Sequence, residues 1–98
     1  MTNLESKQLA LMLDKLNAFE KREISLANLI AGLEGLFNTL GDADDQWKKA
    51  FLKQWGVLED VQAYALYKTF PTIPQEHMKF VEASITELRA LIHRRDNN

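Results

Sequence analysis

Apolar residues recur at helical spacing along almost the whole of this 98-residue chain, and no stretch alternates as a half-buried strand would. That pattern restricts the chain to helices packed on helices. Leu9, Met12, Leu13, Leu16 and Phe19 form a first stripe and predict a helix from about Leu4 to Lys21. Thr2 and Glu5 have capping-box spacing at its start. Ser25 is a good N-cap for a second helix, with Ile24 and Leu29 placed to form a hydrophobic staple around it. Its stripe is Leu26, Leu29, Ile30, Leu33, Leu36, Phe37 and Leu40, and Gly41 suits the left-handed position that ends helices.

A third helix opens on Asp42, Asp44 and Asp45, acids that favour a helix N-terminus, and runs to about Lys68. Trp47, Phe51, Leu58, Val61 and Ala65 make its core stripe, with Trp55 and Leu66 on one flank. Gly56 lies inside it, where glycine costs roughly 1 kcal/mol against alanine, and is a place for a bend. Pro71 and Pro74 punctuate the next turn, and Pro74 suits a first helical turn. The fourth helix carries Met78, Val81, Ile85, Leu88 and Ile92, with Arg89, His93, Arg94 and Arg95 in its last turns, where cations suit the helix dipole; the final Asp-Asn-Asn should fray. Links of about two to six residues favour antiparallel neighbours. The expectation is an all-α fold, a compact antiparallel bundle of about four helices, with residues 1–98 forming a single domain.

Composition agrees with a globular chain that buries a core without staples: 46% of residues are apolar and 27% charged. The net charge of −2 argues against direct binding of nucleic acid, which needs a basic surface to displace counterions from phosphates. The absence of cysteine removes disulfides and thiolate chemistry and fits a reducing cytoplasm. Glu5, Lys7, Gln8, Asp14 and Lys15 interrupt the N-terminal apolar residues, so the start does not read as a signal peptide. No apolar run approaches a bilayer span. A cytoplasmic protein with no membrane partner is expected.

The chain offers little catalytic chemistry. Ser6, Ser25 and Ser84 lie in helical contexts without nucleophile-elbow glycines. His77 and His93 are the two histidines, sixteen residues apart and outside any HExxH motif; they read as a solvated first-turn residue and a dipole partner. His77 as a phosphate acceptor lacks a following glycine to clear space for a docking partner. An EF-hand loop starting at Asp42 would need glycine and glutamate where Trp47 and Lys53 stand. Gly32 and Gly35 fall inside a helical stripe and form no phosphate loop. No enzyme activity, metal or cofactor is expected.

What remains is surface character. The side of the second helix away from its stripe carries Ala27, Asn28, Ala31, Gly35 and Asn38, with Glu34 the one charge between Ile24 and Gly41. Either this helix is central and packed on both sides, or the bare face receives a partner. Tyr64, Tyr67 and Phe70 cluster at the end of the third helix, where they either cap the core or form an interface hot spot. Asp42, Asp44, Asp45, Glu59 and Asp60 either serve capping and solvation or steer a basic partner. The partner-binding candidates are therefore Asp42, Asp44, Asp45, Glu59, Asp60, Tyr64 and Tyr67.

A Ser-initiated apolar helix from Ser25 to Leu40, an acidic turn from Asp42 to Asp45 and a Trp-containing helix from Trp47 to Glu59 follow one another. Together they resemble the small all-helical immunity proteins of contact-dependent growth inhibition and related polymorphic toxin systems. The resemblance covers less than half of the chain, and it carries no catalytic motif because such proteins work by shape. It implies a cytoplasmic inhibitor that binds a toxin domain, often a basic nuclease, and occludes its active site. The alternative from the residues themselves is a helical adaptor or regulatory subunit, either a monomer or a weak homodimer joined through the second helix. A small helical enzyme or phosphotransfer domain is a third class.

Overall fold

A computed structural model describes residues 3–41 and 44–96, and among these the chain forms four helices and no strand. They are α1 (Asn3–Glu20), α2 (Leu26–Asn38), α3 (Asp45–Tyr67) and α4 (Gln75–Asp96). The expected all-α bundle is the fold. Thr2 of the expected capping box, Asp42, and Asn97 and Asn98 of the end expected to fray lie outside the described residues, whereas Asp96 belongs to α4.

Helix starts follow the local chemistry. Ser25 is extended, with φ −79° and ψ 165°, and its hydroxyl accepts from the Asn28 amide at 3.1 Å. It satisfies one of the free donors of the first turn of α2. The Pro74 carbonyl accepts from the Met78 amide at 3.0 Å, so this proline opens α4 where its missing N–H is harmless.

Helix ends depart from expectation. Gly41 has no positive φ, and α2 closes instead on Thr39, whose amide and hydroxyl both donate to the Leu36 carbonyl. The left-handed positions belong to Arg22, at φ 63°, and Thr69, at φ 54°. Each follows a helix in a Schellman arrangement. The Glu23 amide reaches the Ala18 carbonyl at 2.8 Å, and the Phe70 amide reaches that of Ala65 at 3.0 Å. Leu40 explains the shift at α2: it is buried, and the chain turns to seat it rather than to use the glycine.

The helices pack in a ring, α1 against α2 and α4, and α3 against α2 and α4, with no close backbone approach across either diagonal among the described residues. Cross-helix pairs fix antiparallel neighbours. Phe37 stacks on Phe51 while the Trp55 indole donates to the Ile30 carbonyl at 3.0 Å, and Trp47 donates to the Leu91 carbonyl while Tyr64 meets His77. Leu9, Met12 and Leu16 of α1, Leu29 and Leu33 of α2, Phe51 and Leu58 of α3, and Ile85, Leu88 and Ile92 of α4 close the core. Leu91 and Ser84 join it beyond the expected stripe. Two ion pairs tie α1 to α4, Glu5 with Arg95 at 2.6 Å and Glu20 with Arg89 at 2.7 Å. α3 runs unbroken through Gly56.

Length sets the outline. The 13 residues of α2 span about 20 Å and the 23 of α3 about 35 Å. Since Ile30 lies beside Trp55, α2 begins level with roughly residue 59 of α3, and the last two turns of α3 run past it. The bundle measures 44 × 26 × 19 Å, drawn out along this direction.

Candidate functional site

Helical period places Asp45, Lys49, Lys53, Asp60, Tyr64 and Tyr67 on one outward side of α3. All are exposed. They do not make one patch. Asp44 and Asp45 begin the helix, and Tyr64 and Tyr67 end it, about 30 Å away along the axis. Lys49 and Lys53 stand between the acids, so no continuous negative stripe connects them. Asp44 occupies the N-cap position of α3, but its side chain makes no capping hydrogen bond. Glu59 and Asp60 are exposed near the aromatic end.

That end is where the surface is unusual. Tyr67 is 80% exposed, Phe80 61%, Tyr64 44% and Phe70 40%. The four rings together leave on the order of 500 Å² open, a size that on a monomer often marks an interaction site. Tyr64 is held from two sides. Phe70, carried back by the Schellman turn, lies 6.2 Å from it between ring centroids, and His77 of α4 meets it edge-on at 5.0 Å. Tyr67 lacks such support and projects outward. The ammonium of Lys68 stands 5.8 Å from the Tyr64 ring centre and 5.5 Å from that of Tyr67. Asp60, Val61, Tyr64, His77 and Phe80 line a shallow, open depression of about 290 Å³ between the end of α3 and the start of α4.

Three residues at this end of the bundle give a misleading or weak sequence signal. Leu66, expected on the flank of the core, is 67% exposed because it lies beyond the level, near residue 59 of α3, at which α2 begins. Phe80 was overlooked, although it falls off the stripe of Val81, Ile85 and Leu88, and a large apolar residue off its stripe is itself the signal. His77 is half-buried against Tyr64 rather than freely solvated.

The bare side of α2 resolves plainly. Ala27, Asn28, Ala31, Glu34, Gly35 and Asn38 are all exposed, and a side-chain carbon added at Gly35 would meet nothing within 4 Å. The helix is therefore not packed on both sides. Beside it, Glu34, Phe37, Leu52 and Trp55 border a groove of about 170 Å³ against α3.

Among the described residues no group of three or more histidine, aspartate or glutamate side chains converges to hold a metal ion, and no helix is long and apolar enough to cross a membrane. Ser84 is buried in α4 among core residues, and His93 is exposed in its last turn. The chain matches no family model, no curated protein and no solved structure.

Proposed function

We propose that this protein is a non-enzymatic binding module that neutralises a bacterial toxin domain, docking through the aromatic end of α3 and α4. The observation that carries the reading is the open cluster of Tyr64, Tyr67, Phe70 and Phe80 on a scaffold whose other aromatic residues are largely enclosed. Large rings lose little side-chain entropy when they dock, and tyrosines are enriched among the residues that dominate interface energies. The resemblance to helical immunity proteins supplies the class of partner, a basic toxin domain whose active site is occluded.

The acids then divide by distance. Asp60 lines the depression with Tyr64 and Phe80, and together with the exposed Glu59 one residue before it steers a basic surface towards this end of α3. Asp44 and Asp45 stand about 30 Å away, several screening lengths at physiological salt, and contribute little to that encounter. Co-expression with a toxin domain encoded beside this chain, in a sensitive cell, tests the reading directly. The intact protein should protect and bind, and Tyr67→Ala should weaken binding by about 2 kcal/mol, mostly through faster dissociation. An intact protein that neither protects nor forms a complex by calorimetry removes the reading.

The exposed, nearly uncharged face of α2 favours a second reading, a homodimeric adaptor joined there. Sedimentation would show a dimer that Ala31→Glu disperses, since a like-charge pair would then meet at the interface.

A further inference from the structure

We propose that the depression between the end of α3 and the start of α4 receives an arginine side chain of the protein partner, with Asp60 pairing the guanidinium and Tyr64 and Phe80 as its aromatic walls. The proposal rests on the docking reading above and names the group that would anchor the partner.

Asp60 is the acidic residue that lines the depression. The protein's own ion pairs engage Glu5 and Glu20, and Asp60 forms no ion pair among the described residues. Its own helix offers it no cation, because positions three and four residues away hold Gly56, Val57, Ala63 and Tyr64. The carboxylate therefore stands beside aromatic surface with no ion-pair partner within 4 Å among the described residues; the nearest cation placed at these rings is Lys68, against Tyr64 and Tyr67. An apolar side chain filling the depression would strip water from that carboxylate and return nothing. An anion would be repelled by it. A cation satisfies both features at once, because ring faces attract positive charge. Lys68 shows the same preference within the molecule, with its ammonium about 5.5 to 5.8 Å from the centres of the two tyrosine rings.

Guanidinium suits the site better than ammonium. It is planar, stacks on aromatic faces, sheds water more readily and can bind a carboxylate through two parallel N–H donors. Val61 lies at the buried side of the depression and fits the aliphatic stem. His77, edge-on to Tyr64, helps to fix the ring that forms one wall.

The probe is N-acetyl-arginine N-methylamide, titrated into the isotopically labelled protein while backbone amide resonances are followed. The expected result is saturable shifts confined to residues 60–64 and 77–80, with a dissociation constant in the millimolar range. The citrulline analogue, equal in shape but uncharged, should give no saturable shift. Asp60→Asn, at an exposed site that should leave the spectrum otherwise unchanged, should weaken the arginine response about three- to fivefold. Absence of saturation, an equal response to citrulline or shifts centred elsewhere would overturn the proposal. So would movement of the same resonances on diluting the free protein, which would make the occupant Arg22 or Arg94 of a second copy. The arginine titration needs no toxin, so its failure is separable from failure of the functional reading. A toxin bound through Tyr67 without any arginine response removes the depression alone, and an arginine response without protection removes the toxin partner alone.

Discussion

The two ends of α3 use similar residues in opposite ways. At the N-terminal end, Trp47 and Phe51 stack with Phe37 at centroid separations of 4.9 to 6.4 Å. The Trp47 indole donates to the Leu91 carbonyl at 2.9 Å, and the Arg95 guanidinium lies 5.5 Å from its ring while bound to Glu5. Arg95 Nε is buried and has no hydrogen-bond partner among the described residues. At the C-terminal end, Tyr64 rests on Phe70 and His77, while Tyr67 and Phe80 face solvent. Residue type does not explain the contrast, whereas bundle length does. Helices enclose the first end from several sides, but α2 stops short of the second, and a pair of helices has outward faces that it cannot cover. Aromatic residues at the first end serve stability, and those at the second are exposed.

The largest expected effect separates these roles. Phe51 is fully buried, so Phe51→Ala should destabilise the protein by about 3–5 kcal/mol through lost burial and the cavity left behind. Tyr67→Ala should change stability by no more than about 0.5 kcal/mol. Chemical denaturation of the two variants measures both, and a Tyr67 variant as unstable as the Phe51 variant would show that the exposed end belongs to the core after all.

A smaller effect tests the anchoring of the closed end. Trp47→Phe keeps a ring in the stack but removes the donor to the Leu91 carbonyl. A cost of about 1–2 kcal/mol is expected from the lost buried hydrogen bond and the smaller ring. Trp55→Phe loses an equivalent bond to Ile30 at a part-buried site, where water can replace it, and should cost less. Equal costs in denaturant would mean that enclosure does not distinguish the two tryptophans.

The fold was legible because each helix carries its stripe in one uninterrupted register: Leu29 with Leu33, Phe51 with Leu58, Ile85 with Leu88. The site was legible only by halves. A helical wheel reports the direction in which a residue points, so it puts Asp60 and Tyr67 on the outer side of α3, where both are exposed. It says nothing of how far along the axis residues lie or which helix covers that level, so the candidate set joined acids and rings some 30 Å apart, and Leu66 was expected on the flank of a core that does not reach it. Phe80 and His77 meet the α3 residues through antiparallel pairing across the loop 68–74, a non-local contact that no spacing within α4 encodes. The lack of charge on α2 was visible, but whether that face is covered depends on the neighbours of the helix. Glycine as a helix stop failed at Gly41 for a similar reason, since seating Leu40 decided the turn.

The smallest effect concerns the loop that shapes the open end. Arg22 and Thr69 both occupy left-handed positions after a helix, with the same pair of closing hydrogen bonds. Thr69 is the costlier of the two, because a β-branched side chain crowds the backbone where φ is positive. What holds it there is the turn itself, which brings Phe70 back onto Tyr64. Thr69→Gly relieves the crowding, loses the short contact from its hydroxyl to the Lys68 carbonyl, and adds chain freedom to the unfolded state. The first term exceeds the others, and a net gain of about 0.5–1 kcal/mol is expected, a rise of a few degrees in Tm for a domain of this size. Arg22→Gly should gain less, as its side chain is unbranched at Cβ. Thermal melts of the two variants side by side decide the matter. A larger gain at Arg22, or a loss at Thr69, would mean that the open end is not where the backbone carries its strain, and the turn after α3 would then be an ordinary helix stop rather than a constraint that sets the position of Tyr64.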